Sequence, residues 1–292
     1  MKNLKLHASL DDQINLLLAR GLTITDREQA KKMLSDINYY RFSGYLFGFK
    51  NFGLDTYLPG ITIENVKRIY DFDRKFTRIL MYALEDIEET LKTRTSYAIT
   101  SEFPADPLVY LKPILYRNYD SYIRFLNKFY QAIDHNDKLP FVKHHIKHYG
   151  GFLPMWVAVE LFTMGNLHAV YDNLLPVYQK KIAKTYKTSP KYLSSWIENL
   201  TYTRNHLAHY MRIFDFNFGR TPLQSKYHHA YKVTSNMIFD QIYTMSFMYS
   251  DPRDWNEYVL PEIEQLLNEY HAEVPLSSLG FPSNWKDILT IS

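Results

Sequence analysis

The sequence predicts an all-α protein. Three observations carry this. The stretch from Thr62 to Thr100 contains no Gly or Pro and spaces its apolar residues as a helix does. Helix start and stop signals recur along the chain. Glycine is scarce, at 10 of 292 residues, and no regular repeat is present, which argues against propellers and solenoids.

Ser9 is placed to cap a first helix running through Arg20, with Gly21 just past its end. Thr25 and Glu28 fit a capping box for a second helix toward Tyr39, with Ala30, Met33, Leu34 and Ile37 on one face. Gly44 to Gly60 holds four glycines and Pro59 and reads as a loop or short hairpin. Thr62 then opens one long helix. Val66, Ile69, Tyr70, Phe76, Leu80, Leu84, Ile87, Leu91 and Tyr97 form its apolar stripe, and Asp73, Lys75, Asp86, Glu89 and Lys92 are expected off it. Pro104, Pro107 and Pro113 mark a connector. Helices are expected over 117–135, 139–149, 154–164, 166–174, 176–187 and 190–211, the last opening on the favoured Ser189–Pro190 pair. Phe214 to Pro222 reads as a loop, followed by helices over 225–249 and 259–271.

No linker divides the chain. We expect an N-terminal helical region over 1–60 packed on the core, a central helical domain over 61–250, and an acidic C-terminal region over 251–292. The formal charge is +3, but eight acids face two bases from Asp251 onward, leaving −6 there and +9 on the rest. That asymmetry points weakly to a polyanionic partner. With no cysteine, there is no disulfide, zinc–thiolate site or thiol nucleophile. Met1–Leu10 has no apolar core of a signal peptide, and no apolar run approaches the roughly 20 residues that cross a bilayer, so a cytoplasmic protein without membrane contact is expected. Phosphate-binding loops, dinucleotide fingerprints and the nucleophile elbow of hydrolases are absent from the sequence.

The most informative segment is Trp196 to Arg212. Leu193, Trp196, Ile197, Leu200 and Leu207 give it a core-facing side, while Arg204, Asn205, His206, His209 and Arg212 gather near its C-terminal end. Asn205 and His209 share a face, as do His209 and Arg212. Arg204 lies roughly 140° around an ideal helix from His209, so both reach one ligand only from a groove between their faces or at a distortion. A histidine titrating near the ordinary value of about 6.5 transfers protons at neutral pH. An arginine binds phosphate with a planar fork and offsets developing negative charge. RNA supplies its own nucleophile, the 2′-OH, so these groups suit phosphodiester cleavage to a 2′,3′-cyclic phosphate. That chemistry needs no metal or cofactor, and none is expected. The plain alternative is that Arg204 and Asn205 cap neighbouring carbonyls and His209 sits at a helix C-terminus for dipole reasons.

This segment resembles the Arg-Asn-x-x-x-His motif of the HEPN superfamily of helical ribonucleases. Further stretches resemble, more specifically, the Abi family of AbiD/AbiF-type abortive-infection phage-resistance proteins. They are Ile37–Tyr45, Ile69–Arg74, Leu84–Arg94, Pro154–Trp156 with Glu160 and Gly165, and Trp196–Arg212. The likeness spans 37 to 212; the acidic region after 250 shares none of it. The resemblance implies a HEPN-like helical bundle with additional N- and C-terminal helices, and metal-independent endoribonuclease activity in phage defence or as a toxin. It implies Arg204, Asn205 and His209 as the catalytic set: Arg204 on the phosphate, His209 in proton transfer, Asn205 orienting the site. It also implies a homodimer that faces two motifs across one cleft, and RNA as substrate, with a structured non-coding RNA as a possible regulator. Some relatives only bind RNA, so a catalytically silent RNA-binding or scaffold protein of the same fold is the alternative, and a protein-interaction module without an RNA role a third.

Arg212, His206, Lys184 and Lys187 are candidate RNA contacts. Lys180, Lys184, Lys187 and Lys191 would form one basic stripe if their helix ran on, which Pro190 opposes. Tyr202 and Tyr210 are placed to stack on bases. His144 and His148 are one turn apart but lack a third ligand, so a metal site is not expected there. His228–His229 reads as a surface pair. Glu85, Glu88 and Arg94 fit core ion pairs or support of Arg204. Glu160, in an apolar run, needs a cationic partner if buried, with Arg204 or Arg94 as candidates.

Overall fold

The structure, a computed structural model, describes residues 6–51, 53–224 and 231–291. Among them the chain is all-α, with isolated bridges and no strands. Helix α1 (Leu10–Ala19) starts at a capping box in which Ser9 and Asp12 satisfy each other's main-chain N–H groups, and ends before Gly21, whose φ of 90° suits glycine alone. Helix α2 (Arg27–Asp36) is capped by Asp26, which accepts from Gln29, rather than by Thr25. It stops short of Tyr39 because Ile37 is extended and Asn38 caps a separate helix, α3 (Tyr39–Tyr45). Between Gly44 and Gly60 lie a 3-10 turn at Phe47–Phe49 and one antiparallel bridge, Lys50–Tyr57.

Helix α4 (Ile63–Thr100) is the spine, begun by a Thr62–Asn65 capping box. Helices α3, α7 (Met155–Ala158), α8 (Met164–Asn173), α9 (Pro176–Thr185), α10 (Pro190–Ala208), α11 (Ile238–Met248) and α13 (Leu260–Glu269) all pack on it. Helix α5 (Tyr119–His135) lies against α8, and α6 (Pro140–Tyr149) follows it, ending at Gly150 in the left-handed region. The core runs the length of α4 and includes the fully buried Trp196, Trp255, Phe72 and Phe76.

Three further expected helices are also shorter. The one over 154–164 is α7 plus a 3-10 turn, because Phe162 is extended and Thr163 boxes with Asn166 to begin α8. Helix α9 stops at Thr185, and Lys187 at φ 51° turns the chain, so the four lysines form no continuous stripe. Of the helix expected over 225–249, only α11 forms; 231–237 is non-helical and 225–230 lies outside the described residues.

The C-terminal region lies along α4. Helix α12 (Pro252–Asp254) passes through a π-turn, Trp255–Val259, into α13. Glu269 pairs with Lys75 at 2.7 Å and Glu273 with Arg68 at 2.7 Å, so part of the acidic charge is spent on the basic body. A 3-10 turn at Leu276–Leu279 and the short α14 (Trp285–Leu289) close the chain, with the buried Trp255 Nε1–H donating to the Leu289 carbonyl. Gly280 has φ 78°, and a Cβ there would meet Ser235 Oγ at 2.7 Å and Met237 Cβ at 2.9 Å. Gly280→Ala is expected to cost about 1–3 kcal/mol. Thermal unfolding checks this; an unchanged midpoint would show that 235–237 gives way freely.

Candidate active site

Helix α10 presents the motif at its C-terminus. His209 is the C-cap and Tyr210 takes a left-handed φ of 55°. The N–H of Met211 reaches the His206 carbonyl at 3.1 Å and that of Tyr210 the Leu207 carbonyl at 2.9 Å, the crossed pair of a Schellman ending. A tyrosine in this conformation is disfavoured relative to glycine by about 1–2 kcal/mol. Two arginines hold it there. Arg41, on α3, donates to the Tyr210 carbonyl at 2.9 Å, and the Arg74 guanidinium, on α4, lies 5.0 Å over the Tyr210 ring. Helix α10 therefore ends at Ala208 rather than Met211, with His209 and Tyr210 exposed in the turn.

Asn205 and His209 are exposed, and the His209 N–H donates to the Asn205 carbonyl at 3.1 Å. Arg204 is about one-third exposed (35%). Its Nη1 donates to Asn205 Oδ1 at 3.4 Å, and its Nε stands 3.8 Å from Glu88 on α4. Glu88 also pairs with Lys92 at 3.4 Å. Glu88 thus supports Arg204, one of the two roles open to it in the sequence.

Two of the candidate RNA contacts have other employment. His206 is buried at 7% exposure, its Nε2–H donating to the Arg212 carbonyl at 2.8 Å and its ring 4.4 Å from that of Phe216. Burial holds its pKa below the ordinary histidine value. His206 is therefore a pin under the turn, not a surface ligand. Arg212 donates to the Gly44 carbonyl at 2.9 Å, tying the segment after α10 to α3. Lys184 and Lys187 are exposed beside the N-terminal end of α10, a helix roughly 28 Å long at 1.5 Å per residue, and do not join the motif. Arg220 lies 4.9 Å over the exposed Tyr202. Glu160 is exposed and needs no partner, and Arg94 stacks on Tyr186 at 4.3 Å. The His144 and His148 rings are 4.8 Å apart, and no set of three metal-ligating side chains occurs among the described residues. His228 and His229 lie outside the described residues.

Sequence reading missed Asp73. It was expected on the polar side of α4, yet it is buried at 3% exposure. Its carboxylate accepts the N–H of Ile213 at 2.7 Å and that of Phe214 at 3.1 Å, the first residues beyond Arg212. Burial pushes its pKa up to about 7, against the pull of those N–H groups, the Tyr45 hydroxyl and Arg212. The available signal was position: Val66, Ile69, Asp73, Phe76 and Leu80 follow alternating spacings of three and four.

Arg41, Gly44, Asp73 and Arg74 meet around the end of α10, and Glu88, farther along α4, contacts Arg204 in its last turns. Fold and site together define an all-α protein with an exposed Arg/Asn/His cluster held by long-range contacts at the end of a core helix. The model of the Abi-like protein family matches residues 32–215, and the chain belongs to that family. The match covers every residue of this constellation. No curated protein and no solved structure matches the chain. No helix among the described residues is long and apolar enough to cross a membrane.

Proposed function

We propose that this chain is a metal-independent endoribonuclease of the HEPN type, acting in abortive infection by cutting RNA. Membership of the Abi-like family suggests phage defence; the reaction is inferred from the site. The carrying observation is the exposed His209 one turn beyond the exposed Asn205, whose side-chain oxygen accepts from Arg204, with Glu88 steadying the guanidinium. His209 takes the proton of the 2′-OH. The 2′-oxygen attacks the adjacent phosphorus and the 5′-oxygen leaves with a proton, giving a 2′,3′-cyclic phosphate and a 5′-hydroxyl. Arg204 offsets the charge that builds on the phosphoryl oxygens. Asn205 orients Arg204 through its side-chain oxygen.

Two protons move in this reaction, and one motif supplies one exposed imidazole. We therefore assign the working site to a homodimer in which two copies of His209 share acid and base roles. The same observation favours the second reading, a catalytically silent protein that binds RNA, including a regulatory non-coding RNA, through the arginines. Purified protein incubated with RNA in EDTA separates them. Cleavage with cyclic-phosphate ends, abolished by His209→Ala at an unchanged melting temperature, supports the enzyme. Equal products from wild type and variant overturn it.

A further inference from the structure

Outside the motif, one concave surface gathers three cations against a single carboxylate, that of Asp172. It lies between α5 and α8, with a volume of about 570 Å³, within the range of small-molecule sites. Arg117, Arg124 and Lys128 line it; Arg124 and Lys128 are one turn apart on α5, and Arg117 stands just before the Asn118 cap of that helix. All three are exposed, and among the described residues none forms an ion pair with a carboxylate. Arg117 donates to the main-chain carbonyl of Asp172, and Arg124 donates to Ser121 Oγ at 2.7 Å, which fixes two of the guanidinium groups in place.

One carboxylate borders the cleft, that of Asp172, and it is occupied from α8 and α10: His168 stands 3.3 Å away and the Ser194 hydroxyl donates to it. His168 first, then Ser194 and the charge of Arg117, hold its pKa below the ordinary carboxylate range against the effect of burial, so it offsets part of the Arg117 charge and leaves Arg124 and Lys128 free of it. The opposite wall adds Asn166, a neutral amide. Phe125 is buried at 6% exposure, so the cleft has a charged rim and offers no open aromatic face for a base.

We propose that this cleft is a phosphate-binding site, taking consecutive phosphates in extended array. The source is either the backbone of an RNA strand or the phosphate chain of a free nucleotide. Charge, planar donors and the lack of a stacking face select phosphate over base. The RNA source rests on the reading of the chain as RNA-binding; the nucleotide source does not. The cleft connects to the motif helix through Asp172 and Ser194, ten residues or roughly 15 Å along α10 from Arg204. With RNA as the source, it serves as a remote anchor for a strand that reaches the motif.

The test uses Arg124→Ala/Lys128→Ala, two exposed positions, in the full chain carrying His209→Ala so that RNA stays intact. The probes are an unstructured RNA of a dozen nucleotides and inorganic tripolyphosphate. Affinity for at least one is expected to fall about tenfold, and a loss in RNA binding should make its salt dependence shallower by about 1.4 in log–log slope, at about 0.7 per phosphate. Loss for RNA alone assigns the strand; loss for tripolyphosphate alone assigns a free nucleotide. Arg124→Lys/Lys128→Arg should retain binding. Unchanged affinity for both probes, or no binding of either by the parent, overturns the proposal. Failure of the nuclease reading is seen separately, as absence of cleavage by the unmodified chain in EDTA.

Discussion

Arg204→Ala is expected to lower RNA cleavage by about 10²–10³ while leaving the melting temperature nearly unchanged. The magnitude is that of removing one preorganised donor aimed at charge developing in the transition state. The small effect on folding follows from position. Arg204 is about one-third exposed, its contact with the half-buried Glu88 is long at 3.8 Å, and Glu88 keeps Lys92 as a partner at 3.4 Å, so the loss should be about 1 kcal/mol or less. Arg204→Lys should recover a minor part of the rate, because an ammonium supplies charge but not the planar fork. The loss should fall on kcat rather than on KM if Arg204 acts on the transition state. Cleavage by Arg204→Ala at the wild-type rate would remove Arg204 from the chemistry and leave it a structural partner of Glu88.

Local features of this fold were legible because neighbours in sequence decide them. Thr62 caps α4 and Ser9 caps α1, since a cap needs only a side chain and an N–H three residues on. The same logic misassigned the start of α2, where Asp26 competes with Thr25 for that role. The Arg204–Asn205–His209 cluster was legible because one helix carries it. What holds it was not. Arg41, Gly44, Asp73 and Arg74 reach the end of α10 from residues more than a hundred positions away, and no local spacing encodes such contacts. His206 illustrates the converse. It stands between two motif residues yet packs inward against Phe216 and Phe218, aromatic partners contributed by a loop that doubles back. Helix α11 was overextended because it is buried all round, so no polar face marks its ends.

Asp73 is where fold and site meet, and its replacement should have the largest effect on stability. Asp73→Ala orphans the buried N–H groups of Ile213 and Phe214, at about 1–3 kcal/mol each. A total of about 3–5 kcal/mol corresponds to a fall of roughly 6–15 °C in melting temperature for a chain of this size. Asp73→Asn should be little better, because its amide keeps one acceptor and turns a donor toward a donor. The carboxyl also makes stability depend on pH. Its pKa is about 7 in the folded chain and 3.8 as the ordinary value, so the folded state binds the proton more tightly. The resulting stabilisation is full below pH 3.8 and is lost as pH rises through about 7. Between pH 5 and 8 the wild type should therefore lose on the order of 2–3 kcal/mol relative to Asp73→Asn, which has no carboxyl to titrate. Denaturant unfolding of both proteins across that window measures it; parallel curves would show that the two N–H donors and Arg212 keep the carboxylate ionised throughout. Because Asp73 anchors the residues just beyond Arg212, its loss should also release the turn that presents His209, so cleavage should fall in step with stability. A variant that loses stability yet cuts RNA at the full rate would show that Arg41 and Arg74 hold the turn without it.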